Sequence, residues 1–238
     1  MSTTIPGWTT LAETPLVLVH EYGFGAGRAN ALAVALPNRN WMIVSPPPKL
    51  TAEQAQAFTE LGQVVALVEN NGTHHMGLGP CRARFPDAVT YAEPKAAARI
   101  RSKNKDAGQL EPIEALRPLL GDAVSIVAAD GCKIGDVIVR VKTEGGTVFY
   151  ASDFLANINR PPKNPFARLL FKLTGSGPGL RVFRIFFMVF VADRKAAIDF
   201  LIRELQADPP AMMVPAHGDV VASPDLGTTL LGMLRAAR

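Results

Sequence analysis

The chain has 238 residues, 48% of them hydrophobic and 19% charged, a balance that excludes disorder and allows a substantial buried core. Its net charge of +4 comes from dispersed Lys and Arg, with no aromatic-interleaved basic tract. No nucleic-acid partner is therefore expected, while anionic small molecules remain compatible.

Residues 15–20 read as a strand, followed by Gly23, Gly25 and Gly27 as a turn. Residues 30–36 and 41–44 look like two arms of a hairpin, stopped by the prolines at 46–48, which cannot donate to a ladder. Thr51 opens Thr-Ala-Glu-Gln, a helix start running to about Gly62. Residues 63–68 form an apolar strand, and a helix is expected between His75 and Phe85. A short strand at 86–91, a helix at 94–101 and a charged loop at 102–108 come next. Residues 123–128, 137–141 and 147–150 read as strands, the last two joined through Glu144-Gly145-Gly146. Residues 160–179 read as a Pro/Gly-punctuated insertion, and 194–206 as an amphipathic helix with Ala197, Leu201 and Leu205 spaced by four. A core strand at 211–214 and a helix at 228–237 close the chain. Strands thus come in two batches, each followed by helices, dividing near Leu120 and Gly121. The pattern predicts one α/β domain over 1–238, with two halves stacked sheet to sheet and helices outside.

Cys81 and Cys132 show no C-x-x-C spacing and are too few for a disulfide framework. With no basic region leading an apolar stretch at the N-terminus, a cytoplasmic location is expected. The most apolar stretch, 180–191, is too short for a bilayer span and carries Arg181 and Arg184, so no transmembrane segment is expected.

Three of the four histidines follow apolar runs. His74 and His75 come after 64–68 and His217 after 212–214, while Asp153 follows the strand-like 147–150. Ligands at the ends of separate strands can meet at one sheet edge, and imidazole with carboxylate suits Zn²⁺, or Fe, Mn, Co or Ni. The plain alternative is a hydrogen-bonded core histidine. Adjacent histidines on a strand would point to opposite faces, so only a loop or helix start lets both reach one ion.

The run Glu69-Asn70-Asn71-Gly72-Thr73-His74-His75-Met76-Gly77 resembles the first motif of the metallo-β-lactamase-fold superfamily, H-x-H-x-D-H followed by an apolar residue and Gly. Phe149-Tyr150-Ala151-Ser152-Asp153-Phe154-Leu155 is similar to its bridging-Asp motif, and Val214-Pro215-Ala216-His217-Gly218 to its terminal His motif. The resemblance implies a four-layer αβ/βα sandwich, two mixed sheets stacked face to face with helices outside. It also implies which ligands are missing: Asn70 and Gly72 stand where the first two histidines would be. Those resembling the second site are all metal-capable, namely His74 (in place of Asp), His75, Asp153 and His217. One divalent ion, zinc first, is the expected cofactor. Four protein ligands would fill a tetrahedral zinc, so an active site needs five-coordination or one group standing back. Either Asp153 acts as a catalytic base, or one member of the His pair supports from behind.

The implied activity is hydrolysis of an ester, thioester, lactone or phosphoester through metal-bound hydroxide. The alternative is a non-catalytic binding or interaction protein with a degenerate, empty metal site. Other features are weaker. Gly23-Phe24-Gly25-Ala26-Gly27 mimics a dinucleotide fingerprint, but Arg28 occupies the third glycine's place and no acidic residue lies between Glu21 and Glu53. Ser45 stands where the family often has an Asp, and Ser176 follows no strand, so it is no nucleophile elbow. Cys81 is read as a structural cysteine with thiol chemistry as the lesser reading, and His20 carries no assigned role. Finally, the apolar insertion 160–191, with Phe166, Leu169, Leu170, Phe171 and Leu173 among Arg168, Lys172, Arg181 and Arg184, reads as packing or a homodimer contact. Its sharper readings are a lid that selects an apolar or anionic substrate, or a membrane-surface contact.

Overall fold

The computed structural model describes residues 5–25, 27–104, 107–160, 162 and 164–238. An antiparallel meander comes first: β1 (Thr9–Glu13), β2 (Leu16–Phe24), β3 (Gly27–Leu36) and β4 (Asn40–Val44), with a 3₁₀ turn at Pro37–Arg39 before β4. Thr51 then caps α1 (Ala52–Leu61) in a reciprocal box: its hydroxyl accepts from the Gln54 amide while the Gln54 side chain accepts from the Thr51 N–H. That helix returns the chain so that β5 (Gln63–Val68) pairs parallel with β4. Next, α2 (Leu78–Arg84), β6 (Val89–Ala92), α3 (Pro94–Lys103) and β7 (Glu111–Pro112) complete a seven-stranded sheet in sequential order.

A 3₁₀ turn at Ile113–Leu116 and α4 (Arg117–Leu120) lead to Gly121, whose φ of 64° lies in the left-handed region that glycine enters freely. Beyond it come β8 (Val124–Ala128), β9 (Val137–Thr143), β10 (Gly146–Tyr150) and β11 (Leu155–Ile158), then α5 (Pro165–Thr174), β12 (Gly179–Val182), α6 (Arg184–Phe190) and α7 (Arg194–Ala207). The chain ends with β13 (Pro210–Val214), β14 (His217–Gly218), β15 (Val221–Ala222) and α8 (Leu226–Ala237). A five-stranded sheet has the order β15-β13-β10-β9-β8, and a small sheet the order β12-β11-β14. Both large sheets are mixed: β10 pairs parallel with β13 and antiparallel with β9.

Alternation along the strands explains the layering. Val17, Val19, Val34, Met42, Val44 and Val68 face Val137, Val139, Val141, Val148, Tyr150 and Val214 in one core between the sheets. The intervening residues Leu18, Ala33, Trp41, Ile43 and Leu67 face outward against Phe58 of α1 and Cys81 of α2. On the far side, Ile138, Phe149 and Met213 pack on Ala197, Leu201, Leu230 and Leu234 of α7 and α8. Strands buried on both faces read as continuous apolar runs. The result is helix, sheet, sheet, helix. Phe58 shows how much such burial contributes: it is fully buried among Trp8, Trp41 and Phe85, and truncating such a side chain to alanine costs about 3–5 kcal/mol.

Three sequence readings change. The glycine-rich turn is narrower than expected, because β2 runs to Phe24 and β3 starts at Gly27, leaving Gly25 (φ 47°) beside a residue outside those described. The loop expected at 102–108 loses its first residues to α3, and residues 105–106 lie outside those described. In the 160–179 insertion the prolines and glycines punctuate elements rather than replace them. Pro165 starts α5, the Asn164 side chain accepts from the N–H groups of Phe166 and Ala167, and Gly175 ends the helix in the left-handed conformation. Among the described residues, no helix is long and apolar enough to cross a membrane.

Candidate metal centre

The chemistry-bearing residues gather where strands end. Ser45 follows β4, the segment from Glu69 to His74 follows β5, Ser152 and Asp153 follow β10, and His217 lies just past β13. Because β4 and β5 run parallel, as do β10 and β13, their C-terminal ends point one way within each sheet. The two sheets are stitched there. Val137 N–H donates to the Asn70 carbonyl and Gly72 N–H to Ile134. Asn30, on β3, donates its side-chain amide to the carbonyls of Pro215 (2.8 Å) and Gly218 (2.7 Å), pinning the turn that carries His217. Ser45 and Ser152 adopt φ values of 53° and 48°; both are fully buried, and such backbone costs a non-glycine residue of order 1 kcal/mol or more and concentrates at working sites.

His74, Asp153 and His217 each offer a ligand atom, and these atoms lie within 4.8 Å of one another. The His217 Nε2 is 3.0 Å from Asp153 Oδ1, and the His74 Nε2 is 3.3 Å from Asp153 Oδ2. Neither approach is aligned as a hydrogen bond: Oδ1 of Asp153, in a residue only 4% exposed, has no hydrogen-bond partner among the described residues. Two imidazole nitrogens beside such an oxygen are the donor set a divalent ion accepts.

The far side of each of these three side chains is also held. His217 Nδ1 lies 2.7 Å from the Arg28 carbonyl; a carbonyl only accepts, so Nδ1 carries a proton and Nε2 is the nitrogen turned towards Asp153. His74 Nδ1 lies 3.2 Å from Ser45 Oγ and 3.4 Å from the Tyr22 hydroxyl, which are themselves 2.8 Å apart. Asp153 Oδ2 accepts from Asn71 Nδ2 at 2.6 Å, and the same amide nitrogen donates to Asp136 Oδ1 at 2.9 Å. Asn71 in turn is fixed by its Oδ1, which accepts from Thr73 N–H (2.8 Å) and Thr73 Oγ (2.6 Å). Ser152 donates to Asp136 Oδ1 at 3.0 Å and accepts from Asn70. Support of this kind orients ligands and tunes the ion they hold.

Electrostatics divide the two carboxyls. Burial pushes Asp136 well above the usual carboxylate range, with the neighbouring Asp153 adding to it. Burial works the same way on Asp153, but His74 and His217 more than offset it and hold that carboxyl below its ordinary range. Burial opposes charge on His217, yet Asp153 beside it leaves the net shift upward. The surroundings thus disfavour charge on Asp136 and favour it on Asp153.

His75 is not in this group. Burial lowers the pKa of its ring, with Arg99 and His74 adding to the shift. Arg99 also explains Gly72: a Cβ there would lie 2.7 Å from Arg99 Cδ, so the arginine stem fills the space a histidine would need. Asn70, fully buried, spends its amide on Ser152.

The remaining candidates take structural places. His20 contacts the Gly7 carbonyl and stacks on Trp8. The Cys81 thiol donates to the Pro47 carbonyl, and burial pushes its pKa up to about 12, so it is no nucleophile at neutral pH. Ser176 is buried and accepts from Ile185 N–H. The rings of Phe24 and Phe183 lie 5.6 and 5.7 Å from that of His217, making one wall of the site apolar. Sequence reasoning missed Asn71, Asp136 and Tyr22. Of these, only Asp136 carries a signal in the sequence, as Gly135-Asp136 directly before an apolar strand.

No family model and no curated protein matches the chain. Solved structures do. The metallo-β-lactamase DIM-1 superposes with a TM-score of 0.61 at 13% identity, over 99% of this chain and 100% of that one. The metallo-β-lactamase FIM-1 from Pseudomonas aeruginosa, in its mono-zinc form, gives 0.59 at 14% identity over 97% and 95%. The Flv1 flavodiiron core from Synechocystis gives 0.60 at 10% identity, over 96% of this chain and 60% of that one. The chain has the metallo-β-lactamase fold.

Proposed function

We propose that this chain is a hydrolase that holds a single divalent metal ion, zinc by preference, through His74, Asp153 and His217. The observation that carries the reading is the convergence of the buried Asp153 carboxylate with two Nε2 atoms, 3.0 and 3.3 Å away, whose rings are already anchored through Nδ1. Three protein ligands, rather than the four read from the sequence, leave a coordination position open, as catalytic zinc sites do. When bound, such an ion would lower the pKa of water to roughly 7 and polarise an oxygen of the substrate.

The chain's own residues supply the rest. The Arg28 carbonyl keeps His217 in the tautomer that presents Nε2. Ser45 and Tyr22 set the plane of His74. Asn71 aims Asp153, whose depressed pKa suits a permanent ligand better than a general base, since a base works best with a pKa near the operating pH. Phe24 and Phe183 hold an apolar portion of the substrate against His217 and exclude water from that side. The acceptor bond is an ester, thioester, lactone or phosphoester, in a small molecule with an apolar part.

The filled space around Gly72 and the committed amide of Asn70 favour one ion over two. The test is metal content after purification without added metal, read alongside hydrolysis of a panel of those four bond types. One equivalent of metal and turnover, both lost in His217→Ala, are expected. Turnover that persists in metal-free protein or in His217→Ala would refute the proposal.

A further inference from the structure

None of the residues of helix α5 is fully buried. Phe166 (75% exposed), Leu169 (52%), Leu170 (40%) and Leu173 (75%) recur at i, i+3, i+4 and i+7, which makes one continuous apolar stripe along the helix. The half-buried row Ala167, Phe171 and Thr174 faces the protein instead, with the Phe171 ring packed 5.8 Å from that of Phe183. On the neighbouring α6, Met188 and Val189 are exposed as well. Contiguous exposed apolar surface of this kind marks a docking face.

Charge identifies what docks. Residues 160–191 contain Arg160, Lys163, Arg168, Lys172, Arg181 and Arg184 and no aspartate or glutamate. Arg160 is engaged by Glu21 and Asp219. Arg168, Lys172, Arg181 and Arg184 are exposed and have no ion-pair partner among the described residues. A second copy laid stripe to stripe would bring these unpaired cations against their own kind. A sheet of anionic headgroups over acyl chains would satisfy stripe and cations together. Beside α5 lies a cavity of about 400 Å³, lined by Ile158, Leu169, Phe171 and Pro178 together with Arg168 and Lys172. Apolar walls carrying two cations match an acyl chain ending in a negative group.

We propose that α5 and its cationic flanks dock this protein on the surface of an anionic lipid bilayer, with the Phe166/Leu169/Leu170/Leu173 stripe entering the headgroup–acyl boundary. The proposal stands apart from the metal reading and needs no ion.

The experiment is sedimentation of the full chain with vesicles of phosphatidylcholine alone or containing phosphatidylserine. Binding is expected to the anionic vesicles only and to weaken with added salt. Arg168→Gln with Lys172→Gln should lower partitioning about 25-fold, at about fivefold per cation. Phe166→Ser with Leu173→Ser should lower it by at least about tenfold. Lys142→Gln, on β9, should leave it unchanged. Because the substituted side chains are exposed, circular dichroism and the thermal transition of each variant should match the parent. Failure to sediment, or equal binding to neutral and anionic vesicles, overturns the proposal. So does a concentration-dependent dimer that Leu173→Ser dissolves in sedimentation velocity without any vesicle binding, which would assign the stripe to a second copy.

Discussion

Replacing Asn71 with alanine strikes the support of the centre without touching a ligand. The side chain makes four hydrogen bonds: Nδ2 to Asp153 Oδ2 (2.6 Å) and Asp136 Oδ1 (2.9 Å), and Oδ1 from the Thr73 N–H (2.8 Å) and hydroxyl (2.6 Å). The bond to charged Asp153 contributes about 1.5–3 kcal/mol, and the neutral ones about 0.5–1.5 kcal/mol each, with buried partners left unsatisfied. The hydroxyl of Thr73 can turn to water, so the loss should total about 3–5 kcal/mol, measured by urea denaturation of the metal-free protein. Asp153 would also lose its fixed orientation, and removing a partner of this kind typically weakens a metal site 10–100-fold. Competition against a chromophoric chelator reads that affinity directly. Thr73→Val provides the contrast: it removes the hydroxyl bond to Asn71 Oδ1 only, and should cost about 1 kcal/mol with metal affinity unchanged. Unaltered affinity in a folded Asn71→Ala protein would refute the claim that Asn71 aims Asp153 at an ion.

Three further outcomes follow from the same geometry. His74→Ala should abolish stoichiometric metal uptake while His75→Ala keeps it, as read by elemental analysis after dialysis; equal losses would restore His75 as a ligand. Ser45→Ala combined with Tyr22→Phe frees the His74 ring and should weaken metal binding about tenfold or more in the chelator assay. Glu69 is fully buried, neither carboxyl oxygen has a hydrogen-bond partner among the described residues, and burial raises its pKa well above 4.5. Folding therefore favours its protonated form. Its contribution to stability is greatest below the unfolded pKa and declines as pH rises above about 4.5, at up to about 1.4 kcal/mol per pH unit while only the unfolded chain is ionised. Glu69→Gln should flatten that decline and be the more stable protein at pH 8 by denaturant titration; parallel pH profiles would contradict the burial argument.

How much of this was legible beforehand depended on which physical signal each residue carries. The strand at 63–68 coincides with β5 because both of its faces are buried and its apolar run is unbroken. α1 was legible at its start because Thr51 and Gln54 form a capping box readable as a motif. β1 was not, since its residues are only half-buried and its sequence Thr-Thr-Leu-Ala-Glu has no strong alternation. α5 was hidden by flanking prolines and glycines that turned out to be its caps. At the site, motif order pointed to His74, Asp153 and His217, which the fold brings together. The same order pointed to His75, which lies outside that converging group. Asn71 falls on an unspecified position of the first motif and Asp136 is marked only by a glycine before an apolar strand, so neither context states its hydrogen bonds, and the Arg28 carbonyl is backbone, identical in every residue type. Three-dimensional closure alone reveals them.

The central claim is that two imidazoles and one carboxylate share an ion. Anomalous diffraction at the zinc edge from zinc-loaded crystals tests it most directly. The account predicts one peak, at about 2.0–2.2 Å from His74 Nε2, His217 Nε2 and an Asp153 carboxylate oxygen. A peak elsewhere, or none at full zinc saturation with Asp153 still lying between the two rings, would contradict it.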